Sequence, residues 1–378
     1  MKKYQKQFES FGTGEFRGGN ELTLLQNGAA IFPAMLEAIR GAQSSIEFVT
    51  YVYWHSKIAT EFADALCERA RAGVAVRLLV DAIGGAIMST RTVGALEQAG
   101  VKIAWYRPLR FGYLRRANHR THRKILIIDA QIGFTGGVGI ADQWDGNGSG
   151  PGQWRETHFR ITGPACLDMV LGFHENWLEA TNEDLPLPEL PAPTGNVSIL
   201  TTLSSNGPRP TPMERLFEGA IAAATKKLWI TTAYFVPSPE LIQALCLAAS
   251  KNVDVRILTN GLRTNHKVTL MAGRAKYDEL IAAGIKIYEY QRTVIHVKVI
   301  TVDGIWATTG STNLDYRSLV LNDELNISFL DDENITQLDT QFLRDLQDSQ
   351  EINRASRQNL SWPQRLLEQS SSAFSKQL

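Results

Sequence analysis

The chain has 378 residues, 44% of them hydrophobic and 21% charged, which excludes the disordered classes and allows a sizeable core. That length exceeds one ordinary domain, so two domains or a duplicated one are expected. Lysine plus arginine equals aspartate plus glutamate at 39 each, which excludes holding nucleic acid by bulk charge and leaves only local patches.

The N-terminal "MKKYQKQFESFGTGEF" lacks the apolar core of a signal peptide, and no run reaches the ~20 apolar residues of a spanning helix. The chain is therefore expected to be cytoplasmic or peripheral to a membrane. "QSSIEFVTYVYW" (43 to 54) reads as a strand, the helical pattern "ATEFADALCERARAG" follows, and "AGVAVRLLVD" (72 to 81) and "AGVKIAWY" (99 to 106) read as further strands. Next comes "WYRPLRFGYLRRANHRTHRK" (105 to 124), with six arginines, one lysine and no acid, interleaved with Leu109, Phe111, Tyr113 and Leu114. Such a segment suits anionic lipid headgroups with its apolar residues in the interface, or a nucleic-acid backbone.

"THRKILIIDAQIGFTGG" (121 to 137) closes on two glycines, and the glycine-rich "DGNGSGPG" (145 to 152) reads as a loop. Residues 183 to 215 hold seven of the fourteen prolines and are predicted to be a linker. Beyond them the order recurs. "TKKLWITTAYFV" (225 to 236) parallels 43 to 54, "KNVDVRILTN" (251 to 260) parallels 72 to 81, and "AGIKIYEY" (283 to 290) parallels 99 to 106, with the helical "PELIQALCLAASKN" in its place. A βαβ rhythm repeated twice predicts an α/β duplication. Its parts are a first half over 1–182, a linker over 183–215, a second half over 216–350 and a tail over 351–378.

"IHVKVITVDGIWATTGSTN" (295 to 313) stands where "THRKILIIDAQIGFTGG" stands in the first half. Aligned, they give His122, Lys124, Asp129, Gly136, Gly137 and His296, Lys298, Asp303, Gly310, Ser311 at identical spacing. Composition alone yields about 0.01 occurrences of His-x-Lys-x4-Asp, so two with the same glycine offset are not chance. Residues i and i+2 of a strand share a face, which sets each imidazole beside an ammonium, a pairing suited to phosphate. Asp129 and Asp303 fall at odd offset beyond apolar runs, and Asp303-Gly304 is a hairpin signal. For both aspartates a structural role stands beside a catalytic one. In "LNDELNIS", alternation puts Asn322, Glu324, Asn326 and Ser328 on one polar face.

The paired His-x-Lys-x4-Asp-x6-Gly-Gly/Ser motifs resemble the phospholipase D superfamily. With "WRETHFRITGPA" (154 to 165), "AYFVP" (233 to 237) and "GSTNLDYRSLVLNDELN" (310 to 326), residues 20 to 330 resemble its bacterial cardiolipin synthases. The resemblance implies a duplicated phospholipase D-like fold, two α/β/α sandwich halves with the active site at their pseudo-twofold interface. It implies His122 as nucleophile and His296 as general acid, then base, acting through a phosphohistidine, with Lys124 and Lys298 neutralising phosphoryl oxygens. The catalytic set by motif is His122, Lys124, Asp129, His296, Lys298 and Asp303. Family position makes Glu156, 34 residues after His122, and Glu324, 28 after His296, the acceptors that orient the imidazoles, and makes Ser311 and Asn313 phosphate contacts. Gly139 departs from the family's matching asparagine.

No metal and no cofactor are expected, because the remaining histidines show no ligand spacing. The three cysteines read as buried free thiols. The implied activity is transfer of a phosphatidyl group between two phosphatidylglycerol molecules to give cardiolipin and glycerol. Alternatives are a phospholipase D or nucleic-acid phosphodiesterase, in which water is the acceptor, and a lipid-binding module without turnover. No nucleic acid and no obligate protein partner are expected, since one chain carries both halves of the site. Its expected place is the cytoplasmic face of a bacterial inner membrane, held peripherally through residues 105 to 124, or the cytoplasm.

Overall fold

The first-half strand runs form β1 (Phe16–Gln26), β2 (Ser45–Thr50), β3 (Ala75–Asp81), β4 (Lys102–Tyr106), β5 (Ile125–Ile128), β6 (Ile132–Gly136), β7 (Trp154–Arg155) and β8 (Thr157–Thr162). The second half supplies β9 (Val197–Ser204), β10 (Lys227–Thr232), β11 (Asp254–Asn260), β12 (Lys286–Tyr290), β13 (Val294–Ile295), β14 (Lys298–Val302), β15 (Trp306–Gly310), β16 (Glu324–Leu330) and β17 (Ser349–Ile352). The structure, a computed structural model, describes residues 2–11, 13–108 and 118–373.

All of these strands except β7 and β13 join a 15-stranded sheet in the order β17-β12-β11-β10-β14-β15-β16-β9-β1-β8-β6-β5-β2-β3-β4. Read outward from the centre, β9-β16-β15-β14-β10-β11-β12 repeats β1-β8-β6-β5-β2-β3-β4. Since β1 and β9 pair antiparallel, a pseudo-twofold passes between them. The halves are thus a duplication in space, and their sheets are continuous. The pairs β2·β3 and β3·β4 are parallel, as are β10·β11 and β11·β12, which is the βαβ rhythm of the sequence.

Alternation along β5 shows why the sheet has two layers: Leu126 and Ile128 enter one core with helices Asn27–Gly41 and Lys57–Arg71, while Ile125 and Ile127 enter the other. The second of these cores runs across both halves. It joins Phe173 and Trp177 of helix Cys166–Thr181 to Leu338 and Phe342 of helix Asp332–Gln347. The α/β/α halves therefore share one apolar layer, which fixes their relative placement.

The window expected as a linker, 183–215, holds the central strand β9. Its seven prolines lie on either side of "VSILTTLS", which carries none, so composition averaged over the window hid a strand. Within the expected tail, Arg357 bonds both Asp278 and Glu368 and so ties helix Trp362–Ser372 to the second half.

Asp129 and Asp303 require correction. Both take a left-handed backbone, at φ +52° and +55°. Asp129 accepts the backbone N–H groups of Gln43 (2.9 Å), Ser44 (2.7 Å) and Ser45 (2.9 Å), and Asp303 those of Thr225 (3.0 Å), Lys226 (2.7 Å) and Lys227 (2.8 Å). Partial burial opposes their charge, yet these donors hold both carboxyls below the usual range. Each pins the chain entering β2 or β10, at the far end of a strand from its histidine, roughly 23 Å along the backbone at the rise of a β-strand. They are structural residues of the motif, outside the catalytic set.

Candidate active site

The site is assembled by two short parallel pairings between the halves. The His122 N–H donates to the Asp323 carbonyl at 2.9 Å, and the Asp323 N–H to the Arg120 carbonyl at 2.9 Å. In the same way β13 lies parallel to β7, and the His296 N–H donates to the Arg155 carbonyl at 2.8 Å. The residue after each accepting carbonyl is a glutamate. Each imidazole is thereby delivered to the glutamate of the other half: His122 Nδ1 lies 3.0 and 3.1 Å from the Glu324 oxygens, and His296 Nδ1 lies 2.7 Å from Glu156 Oε2. An ionised carboxylate accepts from Nδ1 and leaves Nε2 as the free atom of a neutral ring, which is the case for His122 beside Glu324.

Lys124 Nζ donates to the His122 carbonyl at 2.8 Å, and Lys298 Nζ to the His296 carbonyl at 2.6 Å, so each ammonium folds back on its own histidine. Lys298 Nζ also lies 3.2 Å from His296 Nδ1. His122, Lys124, His296 and Asn313 line a cavity of about 650 Å³.

Burial dominates the electrostatics. It pushes His122 down to about 4 against the opposing pull of Glu324, and it sends His296 well below its ordinary value, with Lys298 acting in the same direction. It likewise lowers Lys124 to about 7 and Lys298 to about 8. The two glutamates part company. Burial raises Glu156 to about 7, whereas on Glu324 the burial penalty is outweighed by His122, Lys124 and Ser311, which hold it below the usual range.

His122 is the largest of the causes that hold Glu324 down, and Ser311 adds a smaller one. Ser311 is fully buried and its hydroxyl donates to Glu324. At the equivalent Gly137 a Cβ would sit 2.4 Å from Glu156 Oε2, so the glycine makes room for the carboxylate and gives it no donor. Ser311, expected to touch phosphate, is corrected to a support for Glu324. Asn313 does face the cavity, and among the described residues its Oδ1 has no partner. At Gly139 a Cβ would meet Val52 Cβ at 2.8 Å and the Trp144 ring at 3.0 Å. The space an asparagine would need is filled by Trp144, whose ring stands edge-on 5.4 Å from His296.

Sequence reasoning missed the aromatic lining. Tyr51 lies edge-on 5.3 Å from His122, Trp154 lies 5.3 Å from His296, and Tyr234 lies 6.2 Å from His296. The signal was present in "TYVYW" and "AYFVP", which end equivalent strands at the cavity. His266 and Asp315 also line the cavity. Within 105 to 124, Arg120 is buried in a two-pronged pair with Asp81, Arg123 donates to the Gly172 carbonyl at 2.7 Å, and Arg107 pairs with Glu179. These arginines are taken up in pairs and hydrogen bonds within the protein and hold the site's frame, with Arg120 also lining the cavity; Leu109, Phe111, Tyr113 and Leu114 lie outside the described residues.

A family model described as "Cardiolipin synthase, PLD-like domain" matches residues 35–145 and 218–346. The chain is 36% identical over 338 residues to a cardiolipin synthase 2 of Bacillus anthracis, covering 88% of this chain and 66% of that protein. It is 33% identical over 362 residues to a cardiolipin synthase of Alkalihalophilus pseudofirmus, covering 94% of this chain and 72% of that protein. It thus spans about two thirds of the length of such relatives. The fold is similar to a phosphatidylserine synthase structure from Haemophilus influenzae, with a TM-score of 0.77 at 13% identity and full coverage of both chains.

Gly139→Asn is expected to displace Trp144 from His296, lowering stability by about 1–3 kcal/mol, as overpacking does, and lowering kcat/KM. Thermal denaturation and a rate assay check this, and unchanged melting with raised activity would overturn it.

Proposed function

The chain belongs to the family of the cardiolipin synthase PLD-like domain, and from that membership we propose that it is a phosphatidyltransferase joining two phosphatidylglycerol molecules into cardiolipin with release of glycerol. The observation that carries this reading is the pair of buried His–Glu dyads, one imidazole from each half, opening on one cavity.

His122 attacks phosphorus while ionised Glu324 holds its Nδ1–H. The bond from phosphorus to the glycerol oxygen breaks as the bond to nitrogen forms, and the departing oxygen takes a proton from His296. A hydroxyl of a second phosphatidylglycerol then attacks the phosphohistidine and passes its proton to His296. One diester is exchanged for another, so no nucleotide enters the balance. The roles are supported by the unequal glutamates. Glu324 is held ionised, which leaves His122 a neutral nucleophile, whereas Glu156 keeps a proton up to about pH 7, so its pair with His296 has one to give. Lys124 and Lys298 offset charge on the phosphoryl oxygens, and Asn313 adds an amide contact; one such donor is worth about 3 kcal/mol in the transition state.

No helix among the described residues is long and apolar enough to cross a membrane. We assign lipid contact to exposed Ile83 and Ile87, which follow β3, and exposed Leu262 and Val268, which follow β11, equivalent places in the two halves, with Ile83 also lining the cavity. These apolar side chains support a peripheral position on a membrane, and our reading puts it on the cytoplasmic face of a bacterial inner membrane.

With phosphatidylglycerol as sole lipid and no added metal, cardiolipin and glycerol are the expected products by mass spectrometry, and His122→Ala or His296→Ala should each lower the rate at least about 1000-fold. Phosphatidic acid alone would move the reading to a hydrolase. The protein is expected to sediment with phosphatidylglycerol vesicles at low salt, and an Ile87→Asp/Leu262→Asp variant to bind about tenfold more weakly; unchanged binding would place the contact elsewhere. On a water-soluble short-chain substrate, kcat/KM is expected to fall as pH drops through about 4, where His122 gains a proton, and as pH rises through about 7, where Glu156 loses its proton and Lys124 its charge. A profile flat from pH 6 to 9 would overturn that assignment.

A further inference from the structure

The pseudo-twofold that relates the histidines does not relate the cavity walls. "GGVGIADQW" in the first half corresponds to "GSTNLDYRS" in the second, so Gly139, Ala141 and Trp144 stand where the second half has Asn313, Asp315 and Ser318. The first-half wall is mostly apolar, with Val52, Trp54, Trp144 and Trp154 beside Tyr51 and Arg120. The second-half wall is polar, and Asn313, Asp315, Ser318 and Asn322 all face the cavity.

Arg317 also lines this wall, yet side-chain acceptors of the wall are left with unused capacity. Asp315 is 4% exposed; one of its oxygens accepts the Ser318 N–H at 2.8 Å, and among the described residues it has no ion-pair partner. Asn322 is 8% exposed, and among the described residues its side-chain oxygen has no hydrogen-bond partner, like that of Asn313. A carboxyl facing a cavity that takes an anionic diester is a cost unless a donor comes to it. Burial raises the Asp315 carboxyl to about 7 against the pull of Arg317 and Lys298, and with those cations already near it a neutral donor suits the wall better than a further cation. Neutral, donor-rich and small describes the hydroxyls of a polyol.

We propose that Asp315 and Asn322, with Ser318 between them in sequence, form a subsite for the hydroxyl adjacent to the reacting one on the alcohol exchanged at phosphorus, and so select a glycerol-type alcohol over one lacking that hydroxyl. The proposal rests on the phosphatidyl-transfer reading. It makes the second half the determinant of alcohol choice, while the aromatic first-half wall is left to the apolar part of the lipid. A site built to bond a hydroxyl rejects the analogue without it more strongly than an apolar site rejects a small change in size, because its own buried groups are then left unpaired.

The test supplies phosphatidylglycerol together with deuterated glycerol, 1,3-propanediol and ethanolamine at equal concentrations, and reads the exchanged lipids by mass spectrometry for the parent, Asp315→Asn and Asn322→Ala. The glycerol to 1,3-propanediol product ratio is expected to be at least about tenfold in the parent and to fall to within about twofold in both variants. Because the ratio is internal to each reaction, loss of folded protein does not imitate its collapse. A parent ratio near one, a ratio unchanged in both variants, or ethanolamine as the favoured acceptor overturns the subsite while leaving phosphatidyl transfer standing. A parent that exchanges no alcohol at all overturns both.

Discussion

Two backbone hydrogen bonds between the halves, from His122 to the Asp323 carbonyl and from His296 to the Arg155 carbonyl, are the constraint from which the site follows. Each brings a histidine to the residue preceding the other half's glutamate, so neither half holds a complete dyad. Their geometry is only as good as the placement of one half on the other, and that is set by the β1·β9 pairing and the apolar layer shared by Phe173, Trp177, Leu338 and Phe342. Residues so placed stand on strands and their immediate extensions, which is what a site held to a fraction of an ångström needs.

Around those dyads, burial acts on every titratable group in the same sense, against its charged form. The imidazoles stay neutral and the two lysines hold their protons less tightly than in water. An anionic diester entering the cavity supplies the charge these groups lack, so substrate and site complete each other electrostatically. The duplication is exact in the positions of histidine and lysine and broken in what surrounds them. Ser311 against Gly137 gives Glu324 a hydroxyl donor that Glu156 lacks, and Ser318 against Trp144 sets a polar side chain on one wall of the cavity opposite an aromatic one on the other.

The internal repeat was legible because histidine, lysine and glycine recur at fixed spacing and the β-rich runs recur in fixed order; both are linear properties. Glu156 and Glu324 could be named from family position, but which histidine each serves could not, because the contact spans 140 residues in one case and 202 in the other. Asp129 and Asp303 are the converse. Their constant spacing from the histidines suggested shared chemistry, whereas it reflects a shared turn that closes the start of β2 and β10. Ser311 misled for a similar reason, since its place in a phosphate-binding motif says nothing of the carboxylate beside it.

The amino-acid sequence by itself determined the duplication, the α/β class, the two histidines and two lysines, and the chemistry such a pair suits, because local pattern and residue type carry that information. Only the tertiary structure decided that the dyads cross between halves, that β9 lies at the centre of a continuous sheet, and that one cavity wall is polar and the other aromatic. Those depend on which distant segments share a hydrogen bond or a packed surface, and such pairings are fixed by the fold as a whole.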